Sequence, residues 1–204
     1  DRMASTTDPD AALISRDGNG RMLAYKDHRA VDDQHGIILA TKATSAAVTD
    51  EGQLLPLVQE VVFHQSVVPE AVAADSIYGT TDNYRDLILM GITPQLPRQR
   101  PQHHKGKFDK EQFTYLPEMD CYRCPAGELL KPQSDGLKRG RIYRASGPVC
   151  AACALHHQCV KGKGPRTIHR YIDEKYVEQA LAERNELRYE AARKRRQTVA
   201  EGSV

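Results

Sequence analysis

The sequence predicts an α/β protein built on a mixed sheet and interrupted by a cysteine-rich insert, on three observations. Over the first 96 residues, stretches of period-two and period-3.6 apolar patterning alternate in the order β-β-α-β-α-β. A run of small and β-branched residues, Ala71-Val72-Ala73-Ala74, leads straight into Asp75, and Gly79-Thr80-Thr81 then opens a helix. All five cysteines fall between Cys121 and Cys159, which marks a compositional boundary.

The elements follow in chain order. Residues 1–19 are polar, with Asp8-Pro9-Asp10 and Asp17-Gly18-Asn19-Gly20 as turn signals. Leu23, Tyr25, Ala30 and Val31 suggest a strand over 21–31. Asp32-Asp33-Gln34-His35-Gly36 is a turn, and residues 37–41 form the return strand of a hairpin. Leu54, Leu57, Val58, Val61 and Val62 share one helical face, with Pro56 in the first turn, where a missing N–H is tolerated. The strand ending at Asp75 comes next, expected to be short and buried. In the helix after it Tyr84, Leu87, Ile88 and Gly91 recur at i, i+3, i+4 and i+7. Residues 92–96 then read as an edge-like strand, because Pro94 argues against a central position. From 97 to 171 the periodicity disappears. Residues 174–201 return to helical character, with a thin stripe of Val177, Leu181, Arg184 and Leu187 or Arg188 among alternating charges. The expected organisation is a partial core over 1–97, a basic loop and cysteine-rich insert over 98–171, and a C-terminal helix over 172–204 that completes the core.

Composition bounds the function. At 204 residues the chain can bury one core, or one core plus a small appendage. It is 40% hydrophobic and 27% charged and lacks tryptophan, which suits a soluble globular protein. No apolar run approaches a membrane span and the first ten residues hold no signal-peptide core, so a cytoplasmic protein is expected. The chain begins at Asp1 and stops in a helical context, which suggests a fragment. A net charge of +2 says nothing about partners, but its distribution does. Residues 98–107, residues 161–170 and Arg193-Lys194-Arg195-Arg196 are basic; such runs are commonly solvated faces, yet three of them keep nucleic acid in view.

An acid at the C-terminal end of a central strand stands where open α/β sheets place their chemistry. The plainer reading of Asp75 is that it caps the turn that follows. For the cysteines, two C-x2-C pairs, Cys121/Cys124 and Cys150/Cys153, have the spacing that lets thiolates on tight turns bind one tetrahedral Zn²⁺, and Cys159 could replace one of the four. Packed, metal-free thiols are the rival. Either way the role is structural, since a fully thiolate-ligated ion has no open position.

These segments together resemble the DDE transposases of bacterial insertion sequences, in the branch with a cysteine-bearing insert. The resemblance runs over nearly the whole chain. Ala24-Tyr25 with Ala30-Val31-Asp32 is similar to the family's G-Y-x4-A-V-D strand, with Ala24 in place of glycine. Thr44 to Asp50 is similar to T-x-A-x-V-x-D, and Leu54-Leu55-Pro56-Leu57 follows. Ala74-Asp75-Ser76-Ile77-Tyr78 matches A-D-x-G-Y except at Ile77. Gly106-Lys107-Phe108, Phe113-Thr114-Tyr115 and Tyr122-Arg123-Cys124-Pro125-Ala126-Gly127 look like the family's insert. Thr198-Val199-Ala200-Glu201 is similar to the final T-V-E motif but carries one extra residue.

The resemblance implies a ribonuclease-H-like core that cuts and joins DNA, with transposon ends and target as partners, a homodimer of the full-length protein and no membrane association. It implies Asp75 and Glu201 as two of three metal-binding acids; the first aspartate is not found in these residues, and Asp32 is a turn residue in the family. Two Mg²⁺ (or Mn²⁺) ions can activate water and stabilise the phosphorane and leaving oxygen, and hard cations take carboxylates rather than thiolates. If Glu201 is helical, Gln197 and Lys194 share its face, and Lys194 could touch a phosphate. Arg193, Arg195 and Arg196 are candidates for sequence-independent backbone contacts. The fragment alone is expected to be inactive. The competing readings are a non-catalytic nucleic-acid-binding module with a zinc-ribbon-like insert, a metal-dependent nuclease of the same fold, and an α/β domain with an unrelated role.

Overall fold

A computed structural model describes residues 6–15, 20–99, 106–133 and 139–198, and the backbone of 199–201. The protein is mixed α/β. The chain divides into two compact units, residues 1–99 with 179–204, and residues 100–178.

In the first unit, β1 (Ala12–Ser15), β2 (Arg21–Val31) and β3 (Ile38–Ser45) form an antiparallel sheet in that order. β1 lies in a stretch expected to be irregular; four residues are too few to display alternation, and only pairing across Ala12–Ala24 and Ile14–Met22 defines the strand. At the β2–β3 turn, the Asp32 carboxylate accepts the His35 backbone N–H at 2.7 Å, a local clamp that holds the reversal. This hydrogen bond is the first of the causes that hold the Asp32 carboxyl below its ordinary range, so Asp32 serves the turn.

Helix α1 (Leu54–Gln65) buries Leu54, Leu57, Val58 and Val61, the face expected from the 3.6-residue repeat. Leu57 and Val61 pack with Ala40 beside Ala30 and Leu39, so the helix covers one face of the hairpin. Strand β4 (Ala71–Ala73) and strand β5 (Thr93–Gln95) pair in parallel, joined by α2 (Thr81–Leu89). Thr80 caps α2 by accepting the Asn83 N–H at 3.3 Å. Tyr84, Leu87, Ile92 and Leu96 are fully buried, whereas Gly91, at φ +76°, turns the chain out of the helix.

The β4–β5 pair departs from the expected buried central strand. β4 is exposed at Ala71 and half-buried at Val72 and Ala73, and among the described residues the pair forms its own two-stranded sheet. Three small side chains bury little area, and Pro94, opposite Val72, contributes no backbone donor to the ladder.

The second unit holds strands where no periodicity was legible. β6 (Thr114–Leu116), β7 (Cys121–Arg123), β8 (Leu129–Pro132), β9 (Gly140–Arg144) and β10 (Thr167–Tyr171) make an antiparallel sheet ordered β10-β9-β8-β7-β6. Two short helices, α3 (Gly147–Ala151) and α4 (His156–Cys159), lie between β9 and β10. Phe113, Tyr122, Leu130, Tyr143 and Ile168 form a core, with the rings of Tyr122 and Tyr143 edge-to-face at 5.1 Å. Strands of three to five residues are too short to reveal a period of two.

The expected single C-terminal helix is two: α5 (Glu174–Ala182) and α6 (Glu186–Glu201). Asn185 starts the second by accepting the Arg188 N–H at 3.1 Å, an N-cap that a continuous helix could not accommodate. The break shifts the helical phase. Leu187 and Arg188, the alternatives expected on the packing stripe, are both exposed, Leu187 by 85%, and Tyr189 is buried instead.

Candidate functional site

Asp75 stands two residues past the end of β4 and is half-buried. Its Oδ1 accepts the Ile77 N–H at 2.8 Å, capping a single 3-10 turn over Ser76–Tyr78. The capping role and a strand-end position therefore coexist in one side chain. That turn is tied to another. Asn83, buried, donates from Nδ2 to the carbonyls of both Glu51 and Tyr78 at 2.9 Å. Asp50 and Glu51 are thereby brought to the neighbourhood of Asp75. The Tyr78 hydroxyl registers all three: burial first, then the negative fields of Asp50, Asp75 and Glu51, raise its pKa. Asp50 is in turn paired with Lys26 at 2.8 Å. The sequence placed Asp50 only within a motif; its approach to Asp75 comes from Asn83, a buried amide at a helix N-terminus that no periodicity singles out.

Gly79 closes the loop beyond Asp75. Its carbonyl accepts the Gln99 N–H at 3.1 Å, and a Cβ built on it would lie 1.9 Å from the Pro97 carbonyl oxygen. Glycine is required here by the approach of a neighbouring backbone.

Helix α6 packs against β4 and β5. Arg188 at its start pairs with Glu70, just before β4, at 3.3 Å. Of the basic residues expected to meet DNA, Arg193 pairs with Glu190 at 3.2 Å and Arg195 with Asp33 at 3.2 Å, while Lys194 is exposed and Arg196 half-buried. Surface pairs of this kind contribute little and can be exchanged for other anions. The backbone of Glu201 lies in the last turn of α6; its side chain lies outside the described residues. Part of the basic loop, residues 100–105, also lies outside them.

The cysteines sort into two environments. Cys124 follows β7 in a tight turn, where the Gly127 N–H reaches the Cys124 carbonyl at 2.8 Å and the Cys124 N–H reaches Glu128 at 2.8 Å. Cys150 lies in the last turn of α3 and Cys153 two residues past its end, with the Cys153 N–H directed at the Cys150 carbonyl at 3.3 Å. Cys159 closes α4 and is buried. These four line a single cavity of about 30 Å³ together with His156 and Arg166. Burial is the main cause that pushes the Cys159 thiol up, opposed by the Arg166 guanidinium and reinforced by Cys150, Cys124 and Cys153. Cys121 does not line this cavity. It precedes the inward-facing Tyr122 on β7, so strand alternation sends it to the other face. All five cysteines are free thiols.

Among the described residues, no three His, Cys, Asp or Glu side chains stand in an arrangement that could hold a metal ion. The acids around Asp75 do not, as they stand, fit a pair of divalent cations. Nor is any helix among these residues long and apolar enough to cross a membrane. No family model, curated protein or solved structure matches the chain.

Proposed function

We propose that the chain is the C-terminal part of a DDE transposase catalytic domain, acting on DNA through Asp75 and Glu201 in a ribonuclease-H-like core. One observation carries the reading: α6, which ends at Glu201 and holds Arg193-Lys194-Arg195-Arg196, packs against the β4–β5 pair from whose end Asp75 projects. A parallel strand pair with a crossover helix, an acid past the strand end and a basic helix alongside suits chemistry on a polyanionic backbone. Mg²⁺ or Mn²⁺ would supply electrophilic stabilisation of the phosphate. Because the described acids do not by themselves make a metal-holding group, no step is assigned to the ion, and the first aspartate of the trio is assigned to no residue here.

This chain's own contribution is carboxylate at position 75 and cationic guidance from α6. In the complete gene product, Asp75→Asn abolishes strand cleavage and joining while leaving DNA affinity measurable. Normal cleavage by that variant would refute the role of Asp75. Charge reversal at Lys194 or Arg196 weakens binding to any duplex and lowers the salt slope by about one for each phosphate no longer neutralised.

A second reading, a nucleic-acid-binding module without catalysis, rests on the basic run 193–196 of α6 alone. It is distinguished by salt-dependent DNA binding in a complete gene product that cuts no DNA with either metal.

A further inference from the structure

We infer that Cys124, Cys150, Cys153 and Cys159 form a structural zinc centre in the second unit, and that Cys121 is not part of it. The inference is independent of the transposase reading, because it rests on the interior of residues 100–178 and on no DNA chemistry.

Three segments deliver the thiols: the turn after β7, the last turn of α3 with the residues just beyond it, and the last residue of α4. All four line one cavity of about 30 Å³, room enough for an ion. Cys150 and Cys153 keep the C-x2-C spacing of structural zinc sites, and Cys124 sits in a tight turn closed by the Gly127 N–H on the Cys124 carbonyl. The thiols surround the cavity without standing in ligand geometry. Binding therefore requires the sulfurs to turn toward the shared space, each about its single side-chain bond among three staggered positions.

Two further groups on the same wall suit a thiolate centre. His156 Nε2 is buried without a hydrogen-bond partner, and an N–H there can donate to a thiolate sulfur. Arg166 is 3% exposed and donates from Nη1 to the Cys159 carbonyl at 3.0 Å. Four thiols binding Zn²⁺ release four protons and leave a centre of charge 2−, which the Arg166 guanidinium faces. A soft, fully sulfur-ligated tetrahedron selects zinc over the hard cations of the acid site. The ion would clamp the β7–β8 turn to the α3–α4 segment, where the structure otherwise offers only short helices.

The test is metal analysis of the protein purified without added zinc, then after exchange of zinc for cobalt. One zinc per chain is expected in the wild type and in Cys121→Ser. Cys124→Ser, Cys150→Ser, Cys153→Ser or Cys159→Ser lowers zinc affinity about tenfold or more. The cobalt form shows the absorption of a tetrahedral thiolate site. Should a variant fail to fold, alkylation of the wild type decides: a chelator exposes these four thiols together. No bound zinc, zinc retained in Cys159→Ser but lost in Cys121→Ser, alkylation unaffected by chelator, or the four sulfurs recovered as two disulfides would each overturn the proposal.

Discussion

Arg184 and Leu96 are joined by a 2.8 Å hydrogen bond from the guanidinium Nη2 to the main-chain oxygen, across 88 positions of sequence. The same oxygen accepts the hydroxyl of Tyr84 at 2.7 Å, and the Arg184 guanidinium lies over the Tyr189 ring at 4.1 Å. One carbonyl at the end of β5 therefore anchors α2 and the start of α6 together. Burial is the leading cause that raises the Tyr84 phenol, which stays protonated and donating at neutral pH.

Arg184→Met removes a charged donor and a ring interaction while keeping the apolar stem. A loss of about 2–3 kcal/mol in unfolding free energy is expected. Hydrogen exchange should accelerate along α6 before it does along α1. Uniform acceleration of both would mean that the arginine does not anchor the helix locally.

Gly79→Ala puts a methyl group 1.9 Å from the Pro97 carbonyl oxygen, so the segment that follows β5 must move away. The expected cost is about 2 kcal/mol or more. It is read as a lower urea midpoint with the slope unchanged. An unaltered midpoint would contradict the close approach.

In the second unit, Lys110 Nζ lies 2.8 Å from the carboxylate of Glu174, whose side chain is wholly buried. Lys110→Met takes away a cation 2.8 Å from this carboxylate and should lower the unfolding free energy by about 1–3 kcal/mol. Adding Glu174→Gln should recover part of the loss, because the buried charge is then gone. A double variant no more stable than the single would argue that the pair's energy lies elsewhere.

Asp120 accepts the hydroxyls of Tyr143 at 2.6 Å and Tyr115 at 2.8 Å and is paired with Arg141. The Tyr143 hydrogen bond is the first cause holding its carboxyl below the ordinary range, followed by those of Tyr115 and Arg141 against the opposing effect of burial. A carboxyl depressed on folding adds stability that is complete above its unfolded pKa and is lost as pH falls through the folded value. Stability of the wild type should therefore decline on acidification below the ordinary carboxylate range. Asp120→Asn should flatten that part of the profile and cost about 1–3 kcal/mol at neutral pH. Identical acid limbs in the two proteins would refute the linkage.

Local patterning carried a good part of the first unit. The hairpin of β2 and β3, the buried face of α1 and the Tyr84–Leu87 face of α2 follow from residues close in sequence, because alternation and the 3.6-residue repeat are local consequences of backbone geometry. Asp75 at a strand end was legible for the same reason: small apolar residues and an acid lie next to one another.

Other features were decided by residues distant in sequence. The five strands of the second unit are too short to carry a pattern and exist through their ladders and the Tyr115–Tyr122–Tyr143 cluster. The separation of β4–β5 from the hairpin sheet depends on hydrogen-bond partners, which side-chain periodicity does not report. Spacing grouped Cys121 with Cys124, but strand alternation turns the first away and a tight turn presents the second to Cys159. The sequence by itself determined the β2–β3 hairpin, the helical faces of α1 and α2, and which residues carry charge and sulfur. Only the tertiary structure decided which thiols and acids meet, because a meeting of side chains depends on how elements stack and on the face each turns inward.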